Sequence, residues 1–202
     1  YWEWARVERG DLHILTETGS CAGCNLRGVN LSGLNLEGAD LRRTDLSNAN
    51  LSSTRLVRAD LWQANLNGAT LDSVDLTGAN LRGLDLRGRN LRKANLTDAN
   101  LEGANLHNAD LKAAVLSNAN LSGANLNKAS LELAILLDAN LDQANLWNAN
   151  LADANLSSSK LVEVNLVRAN LAGADLVNAS LNGSNLSWAK LVDTDLTNAN
   201  LT

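Results

Sequence analysis

Leucine occupies every fifth position from Leu26 to Leu201, thirty-six times in succession and without an exception. Helices bury side chains at a period near 3.6 and strands at a period of 2, so neither element explains a strict period of five. A coil that turns one corner in each pentapeptide does explain it, because each side of the coil then points one leucine inward. The period therefore predicts a narrow solenoid.

The other columns of the pentapeptide carry residue types that suit such a coil. Alanine fills 24 of the 36 slots two residues before the leucine, so small and large side chains alternate in the core without leaving voids. Asn or Asp fills 28 of the 36 slots directly before the leucine, where these side chains can bond to nearby backbone. Gly and Asn are frequent two residues after the leucine, which indicates the third residue of a type II turn, with a positive φ.

The motif A-[N/D]-L-x-x resembles the pentapeptide-repeat family from Cys24 to Thr202, and residues 99–106 (Ala-Asn-Leu-Glu-Gly-Ala-Asn-Leu) match the family motif at each position. The resemblance implies an all-β fold, a right-handed quadrilateral β-helix with four pentapeptides per coil. On this chain it implies about nine four-sided coils over residues 21–202, which at ~4.8 Å per coil form a rod on the order of 43 Å long. The opening Gly-Ser-Cys-x-Gly-Cys-[N/D]-Leu is similar to cyanobacterial members, some of them exported to the lumen.

Residues 1–20 do not follow the repeat and are predicted to form a helical N-terminal cap. Asp11 is predicted to be the N-cap of a helical turn over residues 12–16, and Gly19 to end that turn. The apolar side chains predicted to cover the first coil are those of Tyr1, Trp2, Trp4 and Val7.

The two cysteines fall in register with the repeat. Cys21 holds a leucine slot and Cys24 the following alanine slot, so both are predicted to point inward. Three interpretations stay open: small buried fillers, a structural disulfide that fastens the cap to the first coil, and a redox or zinc site. A zinc site needs more ligands, and the chain has no second cysteine pair and only two histidines, His13 and His107. We therefore predict no metal and no cofactor.

Arg89 is anomalous because it occupies a slot that otherwise holds small inward side chains. An unpaired guanidinium in the core is costly. Arg89 is therefore predicted to bend outward through a local backbone distortion, with Asp72 or Asp110 on neighbouring coils as its partner.

Apolar side chains in outward slots are the second deviation from the repeat. Contiguous apolar groups of this kind mark interfaces, although β-branched residues also suit β-solenoids, and both interpretations stay open. The C-terminal end has no recognisable cap, which adds self-association through that end. The predicted interface residues are Trp147, Val167 and Trp188 on one side and Val115, Ile135 and Leu137 on another.

Composition and motifs exclude several functional classes. The sequence has no nucleophile elbow, no HExxH motif and no phosphate-binding glycine loop, and a filled rod offers no concave site, so no enzyme is predicted. No apolar run approaches the roughly 18 residues of a membrane span. The net charge of −5 argues against nucleic acid. Because the chain starts at Tyr1, both the cytoplasm and, after removal of a targeting peptide, the periplasm or thylakoid lumen are compatible locations.

Three binding functions remain. The favoured prediction is a non-catalytic structural scaffold with a protein partner. The alternative, implied by the family resemblance, is a DNA mimic that binds or protects a type II topoisomerase (DNA gyrase). The third is binding to an ice or crystal face through a threonine column, but that column (Thr77, Thr97, Thr197) is interrupted by Ser117, Leu137 and Val177.

Overall fold

The computed structural model describes the backbone of residues 2–202 and the side chains of residues 10–202. One helix, α1, spans Trp2–Thr18. After it, two turn residues and one bridging residue recur in every pentapeptide, and parallel β-bridges join residues twenty apart, from Ser20 with Asp40 to Ser180 with Asn200. Each coil therefore has four sides with one leucine on each. The leucine ladders run from Leu26 to Leu186 (side 1), Leu31 to Leu191 (side 2), Leu36 to Leu196 (side 3) and Leu41 to Leu201 (side 4).

The strand content is lower than the all-β prediction implies. The bridges are isolated residue pairs, and residues 20–202 contain no strand of two or more residues. The reason is that each turn spans four of every five residues, from the leucine to the small residue whose amide bonds back to it, which leaves one residue per side to pair in the β manner.

Every backbone amide of a standard pentapeptide has an acceptor, as residues 101–105 show. The leucine amide and the amide two residues later donate to the following coil at 2.7 and 2.9 Å, and the amide before the next leucine donates to the preceding coil at 2.8 Å. The amide of the alanine slot closes the turn onto Leu101 O at 2.9 Å. The amide of Glu102 has no backbone partner, and Asn100 Oδ1 accepts it at 3.1 Å. The Asn/Asp column thus completes the backbone hydrogen bonding.

The prediction of a positive φ at the third turn residue is confirmed. Every residue two after the leucine slot, from Gly23 to Asn198, has a φ between 53° and 75°. Residues other than glycine adopt it too, Leu133 at 60° and Trp188 at 63° among them. This left-handed conformation costs an ordinary L-residue roughly 1 kcal/mol, and coil stacking outweighs that cost at each position.

The core consists of the leucine ladders with the small column packed between them. The ladder leucines, one at every fifth position from Leu26 to Leu181, are buried, whereas Leu191 and Leu201 in the last coil are 40% and 52% exposed. Hydroxyls in the small column bond to backbone, as Thr44 Oγ1 donates to Cys21 O at 2.7 Å and Thr54 Oγ1 to Leu31 O at 2.9 Å. Inward polar groups are thereby satisfied.

Helix α1 packs on the first coil and differs from its prediction. Leu15 is buried against the core, and Gly19, with φ 68°, ends the helix by donating its amide to Leu15 O at 2.9 Å. The N-cap prediction for Asp11 was wrong, because Asp11 lies within α1 and its Oδ2 accepts the amide of Asn25 at 2.8 Å. Packing of Leu15 and Leu12 on the core outweighs the roughly 1 kcal/mol that Gly10 costs inside a helix.

The side chains of Tyr1, Trp2, Trp4 and Val7, which were predicted to cover the first coil, lie outside the described residues. Among the described residues no helix combines the length and the apolar character that a membrane crossing needs.

Cys21 and Cys24 are joined by a disulfide, with an S–S distance of 2.09 Å and Cα atoms 5.3 Å apart. Both residues belong to the same turn, in which Cys24 N donates to Cys21 O at 3.0 Å. The bond therefore closes the first pentapeptide on itself rather than fastening α1 to the coil.

Candidate protein interface

An apolar patch lies at the edge between sides 2 and 3. Ile135 bridges to Val115 in the preceding coil, and Leu137 follows Ile135 by two residues. Leu133, in the turn before Ile135, joins them and is 49% exposed, beside 41% for Ile135 and 39% for Leu137. The structure thus brings together one predicted group of three residues and adds Leu133. The sequence signal for Leu133 was a leucine outside the leucine column, in a slot rich in Gly and Asn. We call Val115, Leu133, Ile135 and Leu137 the apolar patch.

The apolar patch leaves nearby backbone amides without hydrogen-bond acceptors. Val115 and Ile135 occupy the Asn/Asp column, but their side chains cannot accept a hydrogen bond. Within the part of the chain with described side chains, the amides of Ser117 and Leu137 consequently have no protein acceptor. Leu133 also holds a left-handed conformation that glycine adopts at less cost. Three of the four patch residues are therefore unfavourable for local folding.

The second predicted interface, on side 1, is less continuous. Trp147 and Val167 occupy one column and are both half-buried, and the Lys128 ammonium lies 5.6 Å from the Trp147 ring centroid. Ser187 continues that column, so Trp188 projects from the next slot and is 83% exposed. Side 1 therefore carries the half-buried Trp147 and the protruding Trp188. Its exposed apolar side chains are less continuous than those of the apolar patch.

Arg89 leaves the core without a backbone distortion, so that part of its prediction was wrong. Its amide donates to Leu86 O at 3.1 Å and its carbonyl accepts from Asp110 N at 2.9 Å, as in the regular repeat. Its Nε donates to Arg87 O at 3.3 Å. The long side chain alone reaches the surface, which is why no backbone change is needed.

The predicted carboxylate partners of Arg89 bond to other residues instead. Asp72 accepts from the Asn90 side chain, and Asp110 forms a salt bridge with Arg92 at 3.1 Å. Neither carboxylate forms a salt bridge with Arg89 within the described region. The outward Arg89 therefore has a backbone carbonyl as its partner and no local counter-charge from these two acids.

Some turn carboxylates are held in their ionised form. A side-chain hydrogen bond from Arg42, at 2.6 Å, lowers the pKa of Asp40, and the same contact from Arg87 lowers the pKa of Asp85. Both carboxylates also accept the amide two residues later, at 3.2 Å. These acids act as turn acceptors. Across residues 10–202 no cluster of His, Cys, Asp or Glu could hold a metal ion.

We expect the protein to lose stability as the pH falls below about 4. The folded state lowers the pKa of Asp40 and of Asp85 from 3.8, so their contribution is complete above that value and is lost as the pH falls through the folded pKa values. Thermal melting at pH 7 and pH 3 measures the loss. The double variant Asp40→Asn/Asp85→Asn keeps the turn acceptors but removes both charges. It should show a smaller pH dependence, and an unchanged one would contradict the assignment.

The comparisons with known proteins agree with this geometry. A family model described as pentapeptide repeats matches eight overlapping segments that together run from residue 20 to residue 202. The chain belongs to the pentapeptide-repeat family. It is similar to HetL, a pentapeptide-repeat protein involved in heterocyst differentiation regulation from the cyanobacterium Nostoc sp. strain PCC 7120. The two are 34% identical over 93% of each chain, with a TM-score of 0.55. The resemblance to cyanobacterial members is thereby confirmed.

A second solved structure shows a likeness of fold alone. The trypsin-treated form of QnrB1, a plasmid-mediated fluoroquinolone resistance protein, is 20% identical over 83% of this chain and 90% of that chain, with a TM-score of 0.58. No protein with a curated description matches the sequence. The comparisons thus give this pentapeptide-repeat chain its family and its repeat β-helix fold.

Proposed function

We propose that this pentapeptide-repeat chain is a non-catalytic scaffold that binds a protein partner through the apolar patch. In this proposal a right-handed rod of about nine coils, capped by α1, presents the patch on a rigid surface. HetL is involved in the regulation of heterocyst differentiation, and a regulatory binding role of that kind fits the same architecture.

The observation that carries the proposal is the cost of the apolar patch to the fold. Leu133 adopts the left-handed conformation at roughly 1 kcal/mol. Val115 and Ile135 each forgo a hydrogen bond of about 1 kcal/mol that Asn would supply. Their side chains also leave apolar surface in water. A partner that covers this surface would recover the loss, as in the apolar centre of protein interfaces.

Affinity capture with matched variants tests the proposal. Wild type is compared with Ile135→Asn/Leu137→Asn and with Trp147→Glu/Trp188→Glu, after melting curves have shown that all three are folded. A protein that wild type and the Trp variant retain and the patch variant loses supports the apolar patch. Loss with the Trp variant alone would move the interface to side 1. Retention by all three would contradict both surfaces.

Self-association through the C-terminal end stays a prediction. It draws on the exposure of Leu191 and Leu201 in the last coil. Sedimentation velocity of the 202-residue chain measures it, and a single monomeric species across the micromolar range would rule it out.

The DNA-mimic alternative meets a specific obstacle in the charge arrangement. A mimic of DNA needs regularly spaced negative charges that are free to meet a partner. Several carboxylates here bond to arginine or lysine of the same chain, as Glu102 does with Arg82 at 3.0 Å and Glu132 with Lys112 at 2.5 Å. We therefore expect DNA gyrase supercoiling to proceed at an unchanged rate with the protein in excess. Concentration-dependent inhibition, or protection from a fluoroquinolone, would favour the alternative.

A further inference from the structure

A pocket on side 4, near α1, has properties that the scaffold proposal does not use. It has a volume of about 340 Å³ and is lined by Ala22, Gly23, Arg42, Arg43 and Trp62. These residues stack in successive coils, since Gly23 N donates to Arg42 O at 2.8 Å and Arg43 N to Trp62 O at 2.9 Å. The first coil contributes only the small residues Ala22 and Gly23, whereas the next two coils contribute arginine and tryptophan side chains. This difference in side-chain size forms the pocket.

The two arginines of the pocket differ in their partners. Arg42 donates two hydrogen bonds to Asp40, from Nε to Oδ1 at 2.8 Å and from Nη2 to Oδ2 at 2.6 Å, so a carboxylate already balances its charge. Arg43 lies over the Trp62 ring, with Cζ 5.2 Å from the centroid, and its Nε donates to Gln63 Oε1 at 3.1 Å. Both of these partners are neutral. Arg43 is therefore positioned by its neighbours, and among residues 10–202 no acceptor engages its terminal N–H groups, which could meet an anion.

One of the residues that line the pocket also has a backbone amide without a partner among residues 10–202. The slot before Cys21 holds Ser20 rather than Asn or Asp, and among residues 10–202 no side chain or carbonyl accepts the amide of Ala22. The disulfide between Cys21 and Cys24 closes the turn that carries Ala22 and Gly23. Gly23 leaves the approach open, since a Cβ there would meet nothing within 4 Å. The residues that line the pocket thus carry one cationic and one backbone donor beside an aromatic ring.

We propose that this pocket binds an acidic segment of a protein partner, a Glu or Asp side chain next to an aromatic residue. The carboxylate takes the donors of Arg43 and Ala22, and the aromatic group packs beside Trp62. A single carboxylate suits this lining better than a polyanion such as nucleic acid, because Asp40 and Asp60, the latter with Oδ2 at 3.7 Å from Arg42 Nε, balance Arg42 and leave Arg43 as the cation to be matched. The pocket and the apolar patch lie on different sides and in different coils, so either site can fail without the other.

An NMR titration of the ¹⁵N-labelled full chain tests the pocket. The probe is acetyl-Glu-Phe-Glu-Phe-amide, and acetyl-Gln-Phe-Gln-Phe-amide is its uncharged control. The acidic peptide should shift the Ala22 amide and the Trp62 indole signals saturably, whereas the Gln peptide should leave them in place. Arg43→Gln should weaken binding about tenfold, because it removes a charge-assisted hydrogen bond. Arg58→Gln changes the same turn slot on side 3 and should leave binding unchanged.

Three outcomes would overturn the inference. Equal weakening by Arg43→Gln and Arg58→Gln would mean non-specific attraction. The absence of saturable shifts would mean that the pocket binds no acidic peptide. Tighter binding of a ten-nucleotide thymidylate strand at the same signals would assign the pocket to nucleic acid. None of these results affects the capture experiment on the apolar patch.

Discussion

Leu116→Ala should lower the free energy of unfolding by about 2–5 kcal/mol. Leu116 is fully buried in the middle of the side 3 ladder, and its amide donates to Ile135 O at 2.6 Å. Backbone bonds between coils set the spacing of Leu96, Leu116 and Leu136, so the rod cannot collapse around the missing side chain. The cavity should therefore persist at close to its full cost. Urea denaturation followed by circular dichroism measures the change.

Leu201→Ala is the matched control, because Leu201 occupies the leucine position of its pentapeptide just as Leu116 does. Leu201 is 52% exposed, so its truncation removes little buried surface and should cost less than about 1 kcal/mol. A solenoid is stabilised by contacts between neighbouring coils, and a defect at the centre also weakens coupling between the two halves. Equal losses at Leu116 and Leu201 would contradict the packing described for the ladders.

Replacing patch residues by residues typical of the repeat should stabilise the fold and abolish binding together. In the variant Leu133→Gly/Ile135→Asn, glycine relieves the left-handed leucine, and the side-chain oxygen introduced by the second substitution can accept the Leu137 amide. We expect the free energy of unfolding to rise by about 1–2 kcal/mol. Affinity for the captured partner should fall at least about tenfold, because two apolar side chains leave the interface. Urea denaturation and calorimetric titration measure the two effects.

Ser130→Asn controls for stabilisation alone. Ser130 occupies the Asn/Asp column on side 2 of the same coil, and within the described region the Glu132 amide has no acceptor. Asn at this position should supply one without touching the apolar patch, so stability should rise and binding should stay at the wild-type level. A patch variant that is more stable and still binds would remove the apolar patch as the interface.

The sequence predicted the side of the rod for each residue because side-chain direction repeats with the pentapeptide. The positive φ at Leu133 and the helix stop at Gly19 followed from local backbone chemistry and were predicted correctly. The sequence did not predict that the helix continues through Asp11, because the packing of Leu12 and Leu15 on the core outweighs local helix propensity.

The candidate sites were harder to predict than the fold. The contact between Arg43 and Trp62 joins residues nineteen positions apart, and its geometry depends on rotamers that a column position does not fix. The conformation of Arg89 was mispredicted for the same reason, because its side chain is long enough to reach the surface from a regular backbone. Trp147 and Trp188 were predicted as one group, although Trp147 follows its leucine by one residue and Trp188 by two. Lys128 lies against Trp147, whereas Trp188 projects from the third slot.

Because the bridges join residues twenty apart, the length of an insertion decides whether it moves two sites apart along the rod or rotates one of them around it. Inserting twenty residues between Trp62 and Val115 would move the side 4 pocket and the apolar patch apart by ~4.8 Å and preserve their relative angle. Inserting five residues would instead turn everything beyond the insertion by a quarter revolution and place the patch on another flank. A partner that touches both sites would tolerate the first change far better than the second.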